Sequence, residues 1–182
     1  MSRLWCAASR WSTLTLSLVL AACAGGPRST ESERYEYLTA RDGALEFLLP
    51  NGWFNASNDA RTPDETIWLV SGDYTATISV REVTMDEDAR RVLRRDGMLR
   101  LAQVTIGLNP GAAITRGPAM IRHGGREYCS YDVRVAPEND AVRVALVDTG
   151  ERVYEVSTLV SRQGSTAGAF AAQEEFLQGL RW

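Results

Sequence analysis

A single histidine, His123, is the only imidazole in the 182-residue chain, so any histidine-based acid–base chemistry must run through it. Serine hydrolysis needs a nucleophile beside a base and an orienting acid. His123 could supply the base and Asp132 or Asp148 the acid. No G-x-S-x-G elbow accompanies them, and "GSTAG" at 164–168 has its serine in the wrong place. Two glycines follow His123, which is more simply the pattern of a turn. Cys129 is a second possible nucleophile. It alternates in phase with Tyr131, Val133 and Val135, which favours a buried apolar role over a reactive thiolate.

Absences narrow the chemistry further. Every basic residue is arginine, so Schiff-base lysines and a P-loop lysine are excluded. One histidine cannot build an H-E-x-x-H zinc motif, and three scattered cysteines cannot build a cysteine cage. Asp86, Glu87 and Asp88 cluster oxygens of the kind hard cations prefer, but the spacing of a calcium loop is missing. Carboxylates at a helix start are already explained by the helix dipole. No metal or cofactor is therefore expected.

Two surfaces could bind rather than react. In "EDARRVLRRDGMLR", Arg90 and Arg94, and likewise Arg91 and Arg95, lie one helical turn apart. Such a stripe could grip phosphate or carboxylate bidentately. Asp86 and Glu87 stand four residues before Arg90 and Arg91, the favourable order for helical ion pairs, so a salt-bridged, solvated face is the stronger reading. Trp53, Trp68, Tyr74, Tyr128 and Tyr131 could line a ligand pocket between sheet and helix. In a small domain such aromatics more often fill the core.

The elements that must carry these residues alternate with a period of two over most of the chain. Leu45, Phe47 and Leu49 predict a first strand running through the turn Pro50-Asn51-Gly52 to Trp53. A polar loop with Pro63 follows. Thr66 to Val70 and Tyr74 to Val83 read as a hairpin about Ser71-Gly72-Asp73, with Ala76, Ile78 and Val80 on its buried side. The period then changes: Thr84 and Glu87 fit a capping box, and a helix runs from about Asp86 to Ile106 with Gly97 as its weak point. Further strands are legible at Ala113 to Arg122, Glu127 to Val135, Ala141 to Val147 and Arg152 to Val160. Helical spacing returns from Ala169 to Arg181. Six to seven antiparallel strands, one long middle helix and one C-terminal helix make an α+β layered domain.

The beginning of the chain has another character. Leu14 to Ala22 is apolar but far shorter than the roughly 20 residues of a membrane-spanning helix, and Arg3 and Arg10 precede it. It reads as a signal peptide, residues 1–22. The following Leu20-Ala21-Ala22-Cys23 junction resembles the lipobox of bacterial lipoprotein precursors. That resemblance implies cleavage before Cys23, lipidation of its thiol, and attachment to the membrane through two or three acyl chains, where one chain alone binds marginally. Alanine at residue 24, where aspartate would favour inner-membrane retention in enterobacteria, points to the outer membrane facing the periplasm.

Removing residues 1–22 leaves 160 residues, one ordinary domain, and takes the net charge from −3 to −5 because the leader holds two arginines and no acidic residue. This acidic balance argues against nucleic-acid binding. Cys6 leaves with the leader and Cys23 is lipidated, so Cys129 has no disulfide partner. Residues 23–34, polar and rich in glycine and serine, form a tether; a flexible segment of that length spans roughly 20 Å. The domain then occupies residues 35–182.

The phrases "LEFLLPNGW", "DYTATISVREV", "GREYCSYDVRV" and "VYEVSTLV", closed by "FLQGLRW", resemble the PsbP-like α/β sandwich and its DcrB-like bacterial lipoproteins over roughly residues 38–182. Members are mostly accessory or binding proteins of photosystems and bacterial envelopes. The resemblance implies a non-enzymatic lipoprotein serving an envelope protein complex; the alternatives are a module for a small lipid, glycan or anion and, more weakly, a hydrolase using His123. No functional residue of the family maps onto this chain.

Overall fold

The computed structural model describes residues 37–58, 66–123 and 125–182. The leader, the lipobox with Cys23, the tether and the Pro63 loop lie outside the described residues.

The strands come in two groups. β1 (Tyr37–Thr39) and β2 (Glu46–Leu48) form a small antiparallel pair. β3 (Trp53–Asn55), β4 (Ile67–Ser71), β5 (Ala76–Glu82), β6 (Ala112–His123), β7 (Arg126–Val135), β8 (Asp140–Asp148) and β9 (Val153–Val160) form an antiparallel sheet in the order β3-β4-β5-β9-β8-β7-β6. The expected α+β architecture is therefore the observed one. The first strand is not one run to Trp53: the turn at Pro50, where Trp53 N–H donates to the Pro50 carbonyl, splits it between the two sheets. The second arm of the first hairpin starts at Ala76, because Tyr74 adopts φ 59° within the turn.

α1 (Glu87–Gly107) is capped by Asp86, whose Oδ1 accepts from Ala89 N–H at 2.7 Å. The capping box read at Thr84 is displaced by two residues: Asp86 is the last extended residue, so its carboxylate, not the Thr84 hydroxyl, reaches the free N–H groups of the first turn. Gly97 is more than a weak point. Its φ 76°, ψ −179° is a backbone conformation open almost only to glycine, and it breaks α1 into two helical halves. α2 (Thr166–Gly179) is capped by Ser165, which accepts from Gly168 N–H.

The two helices cover opposite faces of the large sheet. α2 and the β1–β2 pair seal one face over a core that includes Phe47, Ile67, Ile78, Val156, Phe176 and Leu180. The Phe47 and Phe176 ring centroids stand 5.8 Å apart, and Glu46 and Arg181 exchange backbone hydrogen bonds that lock β2 to the end of α2. α1 lies on the other face, with Leu101 and Ala102 over Cys129, Tyr131, Val144 and Leu146. Its backbone lies nearest β6 and β7, at one side of the sheet, and its side chains reach β8. Among the described residues, no helix is long and apolar enough to cross a membrane.

Candidate binding face

The residues that could have formed a hydrolytic centre hold other positions. His123 ends β6, opposite Arg126, while Asp132 pairs with β8 six residues further along β7. At about 3.3 Å per residue the two are about 20 Å apart. Asp148 accepts from Gly150 N–H inside its own turn, and Ser165 caps α2. Cys129 is fully buried under α1, and burial pushes its thiol above the usual range. The in-phase alternation with Tyr131 and Val133 was the correct signal for that burial.

Asp132 belongs to a charged ladder that the sequence did not disclose. Arg116 on β6 and Arg143 on β8 each donate to it through Nε and Nη2, over 2.9–3.2 Å. Arg116 Nη2 also donates to Ser130 Oγ, and Arg143 continues to Glu174 on α2 and lies over the Phe170 ring. Burial pushes the Asp132 carboxyl upward, but the two guanidiniums outweigh it and hold the group below its ordinary value. The available signal was phase: Ser130 and Asp132 put polar groups on the face of β7 opposite Cys129, Tyr131 and Val133.

The acidic cluster and the arginine stripe neutralise each other. Glu87 pairs with Arg94 at 3.1 Å, Asp88 with Arg91 at 3.1 Å, and Arg95 with Asp96 at 2.8 Å. Arg90 is exposed beside them. Among the described residues, no three of His, Cys, Asp and Glu gather as metal ligands.

The five aromatics singled out do not converge on one cavity, Tyr131 being buried on the α1 side of β7. Trp53 borders a shallow depression with Gly52, Ser71 and Ala169, and Tyr128 lies near Leu177 of α2. Trp68 alternates with buried Ile67 and Leu69 and so occupies the α1 side of β4. Tyr74 is exposed in its turn and stacks edge-on against Phe54, with centroids 5.5 Å apart.

A different surface emerges from the strand register. One row of paired residues crosses every strand of the large sheet: Phe54, Val70, Thr77, Leu159, Val142, Val133 and Ile114. All but Thr77 are apolar, and the row lies on the α1 side. The row is partly open: Phe54 is 37%, Leu159 41% and Ile114 54% exposed, while Val133 is buried. Leu108, at the end of α1, is 79% exposed beside it.

Where this row passes the end of α1 it deepens into a groove of about 420 Å³. Val133, Val135, Val142 and Val144 make its floor, and Ile106, Leu108 and Ala112 its wall. Towards β5 and β9 the lining turns polar. Arg81 Nη2 donates to Glu155 Oε1 at 2.9 Å, and Ser157 Oγ donates to the same oxygen at 2.8 Å. A volume of this size and a mainly apolar lining with a few polar groups, Thr105 and Asn109 near the end of α1 and Arg81, Glu155 and Ser157 on β5 and β9, match the usual form of small-ligand sites. Of the aromatics the sequence offered for a pocket only Tyr131 lines it, because the site depends on β5 pairing with β9, a contact between distant segments.

No family model matches the chain, and no curated protein matches it in sequence. Solved structures match in fold. The solution structure of cyanobacterial PsbP from Synechocystis sp. PCC 6803 is 12% identical, with a TM-score of 0.52 over 80% of this chain and 91% of that one. The Saccharomyces cerevisiae Ran-binding protein Mog1p is 12% identical, with a TM-score of 0.53 over 80% and 94%. A mutant of protein Mog1 is 13% identical, with a TM-score of 0.55 over 80% and 94%. The domain has a PsbP-like fold.

Proposed function

We propose that the protein is a bacterial envelope lipoprotein that works by binding rather than catalysis, as an accessory to an envelope protein complex. Cys23 carries the lipid, residues 23–34 tether the domain, and the domain stands at the outer membrane on its periplasmic side. The reading of the leader comes from the sequence: two arginines, an apolar run too short to span a bilayer, and a lipobox-like junction.

One observation carries the binding reading: the open apolar row on the α1 face. Soluble proteins rarely leave large apolar patches uncovered without use, and here three of the exposed side chains adjoin a groove. The rejection of catalysis is supported by the structural duties of Ser165, Asp132 and Cys129. Mog1p, which shares the fold, is named as a Ran-binding protein, so the fold serves a protein contact in that case.

The test is in-cell cross-linking of the tagged chain with recovery identified by mass spectrometry, using Cys23→Ala as the control. An envelope protein recovered in near-equal amount, and lost with Cys23→Ala, is the expected result. Recovery of nothing specific, or equal recovery without Cys23, contradicts the reading.

A further inference from the structure

We propose that the groove beside the end of α1 is a site for a single-chain acyl carboxylate, its chain on the valine floor and its head group at Arg81. The inference rests on the reading of the α1 face as a binding surface and names a ligand class for it.

The layout of the groove matches that of an amphiphile. The groove crosses β7, β8, β9 and β5, three strand spacings or about 14 Å. At its β7–β8 end Val133, Val135 and Val142 of the floor and Ile106 of the wall offer an acyl chain apolar contact, and the Thr105 hydroxyl beside them is already bonded to the Leu101 carbonyl. Its β5–β9 end holds Arg81, the one cation among the lining residues. Charge decides the head group. Arg81 and Glu155 are paired, but they are unequally presented: the Arg81 side chain is 58% exposed and that of Glu155 only 12%. Ser157 and Arg81 both donate to Glu155 Oε1, so the carboxylate is held beneath the guanidinium. A head group entering the groove therefore meets the cation. Arg81 donates to Glu155 through Nη2 alone among its nitrogens and keeps N–H groups in the fork geometry that suits a carboxylate.

The other enclosed polar site is less suited to a ligand. At Asp132, both guanidiniums already donate bidentately to the carboxylate, and its cavity of about 130 Å³ is smaller.

The experiment is calorimetric titration of the full chain carrying Cys23→Ala, so that the added chain is the only acyl group present. Octanoate, 1-octanol and octyltrimethylammonium serve as probes, each below its aggregation concentration. Saturable one-to-one binding is expected, with octanoate about tenfold tighter than octanol and the cation weakest. Arg81→Gln brings octanoate down to the affinity of octanol and leaves octanol unchanged. Val142→Trp, which fills the floor, abolishes both; unchanged circular dichroism keeps that result interpretable, and Arg81→Gln, on an exposed side chain, provides the same test independently. Absence of saturable heat overturns the proposal. So does equal binding of anion and cation, or binding that survives Val142→Trp in a folded protein. These outcomes are independent of the cross-linking result: a recovered partner with no octanoate binding removes only the ligand class, and octanoate binding with no recovered partner removes only the accessory role.

Discussion

The two faces of the sheet are built from the same alternating strands yet finished differently. On the α2 face, β1, β2 and α2 together exclude water: Phe47, Ile67, Ile78, Val80, Phe176 and Leu180 are all essentially inaccessible. α2 sits so close that a Cβ on Gly179 would come within 3.0 Å of the Leu48 side chain. On the α1 face one broken helix covers one flank, and apolar side chains beyond it remain in solvent. The contrast separates two uses of apolar surface. Burial on the α2 face and under α1 stabilises the fold, while the exposed apolar area beyond α1 contributes little to folding and is available to a partner.

Substitutions should divide along that line, the largest effects falling on the sealed face. Phe176→Ala removes a fully buried ring from the α2 face and is expected to cost about 3–5 kcal/mol in urea unfolding. Asp132→Asn leaves Arg116 and Arg143 facing each other at the edge of that face. About 2–3 kcal/mol is expected, below the fully buried range because the Arg116 side chain is about a third exposed. The same carboxyl has a sign in pH. Its folded-state affinity for protons is lowered, so its contribution is present above the ordinary carboxylate value and is lost as pH falls through its folded value. Thermal melts should therefore show wild type losing stability below about pH 4 more steeply than Asp132→Asn.

The α1 face should respond less. Gly97→Ala is expected to cost about 1–3 kcal/mol through strain alone, since space around Gly97 is open and only its backbone conformation forbids a side chain. A chemical-denaturation midpoint checks this, and a larger loss would mean that α1 covers more than its observed flank. Leu159→Ser, in the open row, should change stability by no more than about 0.5 kcal/mol. A loss comparable to that of Phe176→Ala would erase the distinction between the faces.

Local pattern made most of these elements readable. Cys129, Tyr131 and Val133 marked the α1 side of β7 because a strand exposes its two faces at period two. The apolar and acidic residues after Asp86 marked α1. What escaped was set by geometry at a residue or between distant segments. Thr84 and Asp86 are both good caps, and only the extended backbone of Asp86 chose between them. Ser165 was passed over because a serine among glycines reads as a loop before α2 is known to start at Thr166. β1 is three residues long and gains meaning only from β2 and α2. The Asp132 ladder and the groove needed the strand order, since Arg116, Asp132 and Arg143 are neighbours only once β6, β7 and β8 lie side by side. The apolar row could not be recognised as open until the position of α1 was known.

The most direct test of the central claim is to repeat the in-cell cross-linking with a charge placed on each face: Leu159→Arg in the open row and Glu175→Arg on the outer side of α2. Leu159→Arg is expected to lose the co-recovered envelope protein at unchanged thermal stability, while Glu175→Arg keeps it. Equal recovery with Leu159→Arg and wild type would contradict the assignment of binding to the α1 face.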